Sequence, residues 1–71
     1  MSPHYDASAL TPRETVVLAL IVDGSTNKGA ARVLHVSPRT VEFHSANIML
    51  KMHARNVADL MRIVFQTNRP H

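Results

Sequence analysis

Cysteine is absent from the 71-residue sequence. Its absence excludes disulfide bonds and thiolate metal sites, and we expect a protein of the reducing cytoplasm. Long apolar runs are also missing, because the longest, Val16 to Val22, is far shorter than the ~20 residues that span a bilayer. The N-terminus lacks the basic segment followed by an apolar segment that marks a secretion signal. These absences predict one small domain with no membrane partner.

Acidic residues are scarce after Asp23. Only Glu42 and Asp59 are acidic beyond that point, whereas the same part of the chain holds seven of the eight Lys and Arg side chains. The formal net charge of the whole sequence is +3. A mildly basic domain needs no polyanionic partner, but a domain that binds nucleic acid would carry this distribution too. Charge alone leaves both interpretations open.

Motifs for catalysis and metal binding are missing as well. The sequence has no glycine-rich phosphate loop, no usefully spaced pair of carboxylates and no nucleophile with an evident base, so we expect neither an enzyme nor a cofactor. His35, His44 and His53 are nine residues apart. Nine residues make two and a half helical turns, which puts successive side chains on opposite faces. We therefore expect no metal site.

Local signals predict an all-α fold, a four-helix bundle with no strand. Thr11, Ser37 and Asn56 are residue types that cap helix N-termini, and Ser25 or Thr26 can do the same for a second, shorter helix. The predicted helices span 12–23, 26–34, 38–52 and 57–67. A flexible tail or linker remnant is expected at 1–9, the folded domain at 10–67, and a C-terminal tail at 68–71.

The connection between the second and third predicted helices is very short. A turn of three or four residues before a capped, longer helix is the layout of a helix-turn-helix, in which the second helix enters the major groove of DNA. Helical periodicity puts Val41, Ile48 and Met52 toward the core and Phe43 and Leu50 on the opposite side.

That opposite side of helix 38–52 combines amide, carboxylate and apolar groups. Asn47 can bond to adenine, Glu42 can accept a hydrogen bond from cytosine, and Ala46 or Phe43 can contact a thymine methyl group. Cations at the two ends of the helix suit phosphates. A contact with another protein, made by Phe43 and Leu50, remains the alternative interpretation of this face.

Two stretches of the sequence are similar to a known family. LTPRE at residues 10–14 and STNKGAARVLHVSPRTVEFHSANIMLKMHARN at residues 25–56 resemble the LuxR/FixJ-type DNA-binding domain of bacterial transcription regulators. The resemblance covers about residues 10–66. It implies a helix-turn-helix domain, often the output half of a response regulator or ligand sensor, that binds double-stranded DNA through helix 38–52. It also implies that the last helix lies at a dimer contact. We therefore expect a homodimer on an inverted-repeat operator, with RNA polymerase as a further candidate partner.

The resemblance also implies roles for individual residues, position by position. Predicted base contacts are Glu42, Phe43, Ala46 and Asn47. Predicted phosphate contacts are Asn27, Lys28, Arg39, Thr40, His44, Lys51 and Arg55. Predicted dimer contacts on the last helix are Val57, Met61 and Val64.

The sequence departs from the family pattern at a few positions. Gly29-Ala30 stands where the family usually has Glu-Ile, and His35 and His53 stand where glycine is usual, which predicts left-handed backbone at two histidines. Two other functions stay open. One is a promoter-reading domain of a sigma factor, and the other is a protein-interaction module of the same fold without DNA binding.

Overall fold

The structure is a computed structural model, and it describes residues 9–67. These residues form four helices and no strand, which confirms the predicted all-α fold. The helices are α1 Pro12–Val22, α2 Asn27–Leu34, α3 Pro38–Met52 and α4 Val57–Thr67. Helices α1 and α2 are each one residue shorter than predicted, because Asp23 and Thr26 are caps. The predicted tails at 1–9 and 68–71 lie outside the described residues, except for Ala9.

Each helix begins at a side chain that accepts a hydrogen bond from the backbone. Before α1, the Thr11 hydroxyl accepts from the Glu14 N–H at 3.1 Å, while the Glu14 carboxylate accepts from the Thr11 N–H at 3.0 Å. The same side-chain capping is made by Thr26 for α2, by Ser37 for α3 and by Asn56 for α4. Backbone donors that a helix leaves unpaired in its first turn are thereby satisfied.

The first three helices end in left-handed backbone. The residue after the last turn is Gly24 (φ 90°) for α1, His35 (φ 59°) for α2 and His53 (φ 58°) for α3. After His53, the Ala54 N–H donates to the Met49 carbonyl oxygen at 2.9 Å, and equivalent bonds close α1 and α2. The left-handed conformation predicted for both histidines is confirmed. It costs a residue with a Cβ roughly 1–2 kcal/mol.

Helix α3 is the central element, since it packs against α1, α2 and α4. Its inner face is formed by Val41, Ile48 and Met52, all buried as the periodicity predicts. The other helices cover this face with the remaining buried apolar residues, Leu10, Val17, Ala30, Ala31, Leu60 and Val64. One side of α3 is thereby used by the core, and the other side is left to solvent.

The turn that joins α2 to α3 consists of three residues, His35 to Ser37. The Val36 N–H donates to the Ala31 carbonyl oxygen at 3.0 Å, which ends α2. The side chain of Val36 then packs against the core. Because Ser37 caps the next helix immediately, only a short turn separates two capped helices, which is the connection typical of a helix-turn-helix.

Candidate nucleic-acid interface

The outer face of α3 is open to solvent along its length. Phe43 is 64% exposed and Leu50 is 75% exposed, although both are large and apolar. Glu42 and Ala46 are exposed beside them, and Asn47 is half-buried at the edge of the face. The structure therefore brings the four predicted base-contacting residues together on one accessible surface.

The N-terminal part of this face is shallowly concave. Arg39, Glu42 and Phe43 line an open concavity of about 330 Å³. The Phe43 ring lies edge-on to the His44 ring, with centroids 5.9 Å apart and planes at 62°. This arrangement is favourable for two rings.

Six of the seven predicted phosphate contacts fall into two groups, and the seventh, His44, is half-buried on α3. The first group lies at the starts of helices: Asn27 and Lys28 in the first turn of α2, and Arg39 and Thr40 in the first turn of α3. The Thr40 hydroxyl is 3.0 Å from the Ser37 hydroxyl, so it is part of the cap of α3. A helix N-terminus attracts anions through its free N–H groups and its dipole, and the two cations add to that attraction.

The second group of predicted phosphate contacts lies beside carboxylates. The Lys51 ammonium is 2.6 Å from Glu14 Oε1, and the Glu14 side chain is only 6% exposed. The hydrogen bond from Lys51, together with the backbone N–H of Thr11, lowers the pKa of the Glu14 carboxyl. This ion pair ties the end of α3 to the start of α1. A phosphate role for Lys51 stays a prediction, but its charge already has a partner in the fold.

A similar cluster surrounds the buried carboxylate of Asp59 in α4. Its Oδ1 accepts from the Arg62 guanidinium at 2.6 Å, and its Oδ2 accepts from the Arg55 backbone N–H at 3.0 Å. These bonds, the one from Arg62 first, lower the pKa of Asp59. The Arg55 side chain is 85% exposed and lies 3.5 Å from the same carboxylate. The Arg55 side chain therefore remains accessible from solvent, whereas Asp59 holds the start of α4 through its buried hydrogen bonds.

The predicted dimer contacts on α4 are placed unequally. Val57 is 49% exposed and Met61 is half-buried, but Val64 is only 6% exposed and belongs to the core. Phe65, which the sequence analysis did not single out, is 55% exposed. It follows Val57 and Met61 at the same four-residue spacing, so these three side chains form one row on the helix. The spacing alone would have identified it.

Among residues 9–67, no three His, Asp or Glu side chains are grouped so that they could hold a metal ion. Within the same range, no helix combines the length and apolar character needed to cross a membrane.

Comparison with known protein families identifies the family to which the chain belongs. Residues 8–64 match the family described as bacterial regulatory proteins, luxR family. The chain belongs to the luxR family of bacterial regulatory proteins. The predicted resemblance to the LuxR/FixJ-type DNA-binding domain is thereby confirmed. This membership favours a luxR-type regulator over the sigma-factor alternative.

Several curated relatives fit this luxR membership. The chain is 48% identical over 54 residues to the transcriptional regulatory protein FixJ of Rhizobium meliloti, which covers 76% of this chain and 26% of that protein. It is 39% identical over 59 residues to FixJ of Bradyrhizobium diazoefficiens, covering 83% of this chain and 29% of the relative. The response regulatory protein YgeK of Escherichia coli is 45% identical over 63 residues, covering 87% and 43%. The chain thus spans less than half the length of these relatives.

Proposed function

We propose that the chain binds double-stranded DNA in a sequence-specific way as the DNA-binding part of a bacterial transcription regulator. The observation that carries this proposal is the outer face of α3. It presents Glu42, Phe43, Ala46 and Asn47 together on a surface that the core does not use. Membership of a family of regulatory proteins supports the same function.

Phosphates hold the domain on the duplex in this proposal. The free N–H groups at the starts of α2 and α3 face one backbone strand, together with the exposed side chains of Lys28 and Arg39. Asn27, Thr40 and His44 approach the same strand. Lys51 and Arg55 contribute less than Lys28, because each already lies beside a carboxylate.

The bases are read by α3 in the major groove. Asn47 bonds to an adenine, and Glu42 accepts from a cytosine amino group. A cationic helix would bind any duplex equally, whereas amide, carboxylate and apolar groups discriminate between base pairs. The cations at the start of α3 and on α2 therefore position the domain, and the middle of α3 selects the sequence.

Two copies bind an inverted repeat in this proposal. The α4 row formed by Val57, Met61 and Phe65 is apolar and accessible, and a homodimer would bury it. A two-fold axis through that contact suits half-sites about one turn, ~34 Å, apart. We also propose that the domain is the output part of a longer regulator, as the relatives named as response regulators suggest.

The test is selection of duplexes from a random pool by the purified chain, at about 100 mM salt and again at higher salt. We expect one motif with two-fold symmetry to be enriched. Replacing Lys28 with Ala should weaken binding to all duplexes and reduce the salt slope by about one. Binding without enrichment would refute sequence specificity.

A protein-interaction module is the second candidate, because Phe43 and Leu50 are large, apolar and exposed. Salt distinguishes the two functions, since phosphate contacts release counterions and apolar protein contacts do not. Absence of DNA binding even at low salt would favour the interaction module. The partner would then be a protein that covers these two side chains.

A further inference from the structure

The outer face of α3 carries more apolar surface than hydrogen bonding to bases requires. Phe43 and Leu50 are 64% and 75% exposed, and the exposed Ala46 lies between them. Positions 43, 46 and 50 follow the three- and four-residue spacing that aligns side chains along a helix. Neither large side chain packs against the core. This apolar row of α3, formed by Phe43, Ala46 and Leu50, has no role in holding the described residues together.

The charges around the apolar row indicate that DNA, and not a protein, contacts it. Arg39 lies one turn before Phe43, and Lys28 is exposed in the first turn of α2. Neither cation forms an ion pair with a carboxylate of residues 9–67. A duplex supplies phosphates for such cations and, in the same major groove, the C5-methyl group of thymine for apolar side chains.

We propose that the apolar row of α3 selects operator half-sites by covering thymine methyl groups. This inference rests on the proposed DNA-binding function and adds the chemistry of the bases that are read. Phe43 and Leu50 are seven residues apart, which is ~10.5 Å along a helix. Since a helix in the major groove is inclined to the duplex axis, that length reaches at most about three base pairs at ~3.4 Å each. The preferred half-site therefore carries thymines, on either strand, about two or three base pairs apart.

Deoxyuridine provides a direct test, because uracil differs from thymine only by lacking the C5-methyl group. Each thymine of the selected operator is replaced singly by deoxyuridine, and Kd is measured for the chain. We expect an increase of about fourfold at each of two thymines in each half-site, the equivalent of ~0.8 kcal/mol for one methyl-sized apolar group. The other thymines of the operator should tolerate the replacement.

Protein variants then assign each methyl group to a side chain. In Phe43→Ala and in Leu50→Ala, the deoxyuridine effect should disappear at one thymine and persist at the other, because the two partners of one contact are not additive. Val33→Ala is the matched control, since Val33 is 61% exposed on α2, outside the apolar row. It should keep both effects. All three side chains are exposed, so the unfolding midpoints should not change.

The outcomes separate this inference from the function on which it rests. If no motif is enriched from the random pool, the proposed function and the inference both fail. If a motif is enriched but deoxyuridine is tolerated throughout, only the inference is overturned. It is also overturned if Leu50→Ala and Phe43→Ala retain the full deoxyuridine effect at both thymines, because the methyl groups would then be covered by other residues.

Discussion

The two faces of α3 belong to one helix and have opposite properties. The inner face presents Val41, Ile48 and Met52, each at most 2% exposed. The outer face presents Phe43 and Leu50, at 64% and 75% exposure. Both faces carry large apolar side chains, so the presence of such side chains alone does not distinguish them. What distinguishes them is whether the other helices of the chain cover the side chains.

Because of this difference, substitutions on the two faces should be detected by different measurements. Removing a buried side chain leaves a cavity and lowers the free energy of unfolding. Removing an exposed one leaves the free energy of unfolding within about 0.5 kcal/mol. If α3 reads DNA, changes on its outer face should instead alter affinity for particular duplexes.

The largest effect is expected on the inner face. Ile48 is fully buried, at 0% exposure, so Ile48→Ala should lower the free energy of unfolding by about 2–5 kcal/mol. The measurement is urea denaturation followed by circular dichroism. Leu50→Ala, on the other face of the same helix, is the control. A loss of equal size for Leu50→Ala would show that the outer face is covered in solution.

The next effect concerns the outer face and DNA. Asn47→Ala should reduce discrimination at one base pair of the operator by about 1–3 kcal/mol, since it removes a side chain that can bond to adenine. Competition binding with single base-pair substitutions measures this. Stability should change little. Equal losses on the selected operator and on random DNA would contradict a reading role for Asn47.

Acid should act on the two buried carboxylates, Glu14 in α1 and Asp59 in α4. The pKa of Glu14 is lowered from 4.5 by Lys51 and that of Asp59 from 3.8 by Arg62, so the unfolded chain binds more protons than the folded chain in acid. Stability should be full above these values and fall as the pH drops below about 4.5.

The contribution of the ion pair to this acid dependence can be isolated by substitution. Glu14→Gln should lower the unfolding temperature at neutral pH and flatten its decline in acid, because the carboxylate that Lys51 stabilises is gone. Unfolding temperatures measured from pH 7 to pH 3 check this. Glu42→Gln changes an exposed carboxylate on the outer face and should keep the wild-type decline.

The smallest effect is expected at the end of α3. His53→Gly should raise the free energy of unfolding by about 0.5–1 kcal/mol, because relief of left-handed strain exceeds the entropy that glycine adds to the unfolded chain. Thermal denaturation measures the gain, and duplex selection should be unchanged. Gly24→Ala is the opposite change at φ 90° and should destabilise the domain. A loss of stability for His53→Gly would mean that the imidazole contributes more than its backbone strain costs.

Features that depend on near neighbours in the chain were predictable. The caps Thr11, Ser37 and Asn56 act within three residues of themselves, so the sequence shows where helices begin. Left-handed ends at His35 and His53 depend on one residue each. Periodicity also placed the outer face of α3, because side chains three and four residues apart share a side.

Features that depend on distant neighbours were not predictable in the same way. Lys51 was predicted to contact phosphate, and that prediction did not anticipate its ion pair with Glu14, 37 residues away in the chain. On α4, Val64 and Phe65 are adjacent apolar residues, and one is in the core while the other is exposed.

The sequence by itself determined the four helices with their starts and ends to within one residue, the outer face of α3 and the family. Only the tertiary structure decided that Lys51 joins Glu14 and that Val64 is buried while Phe65 is not. The physical reason is the range of the interactions. Caps and periodicity act within one or two turns of a helix, whereas burial and ion pairing depend on which distant segments pack together.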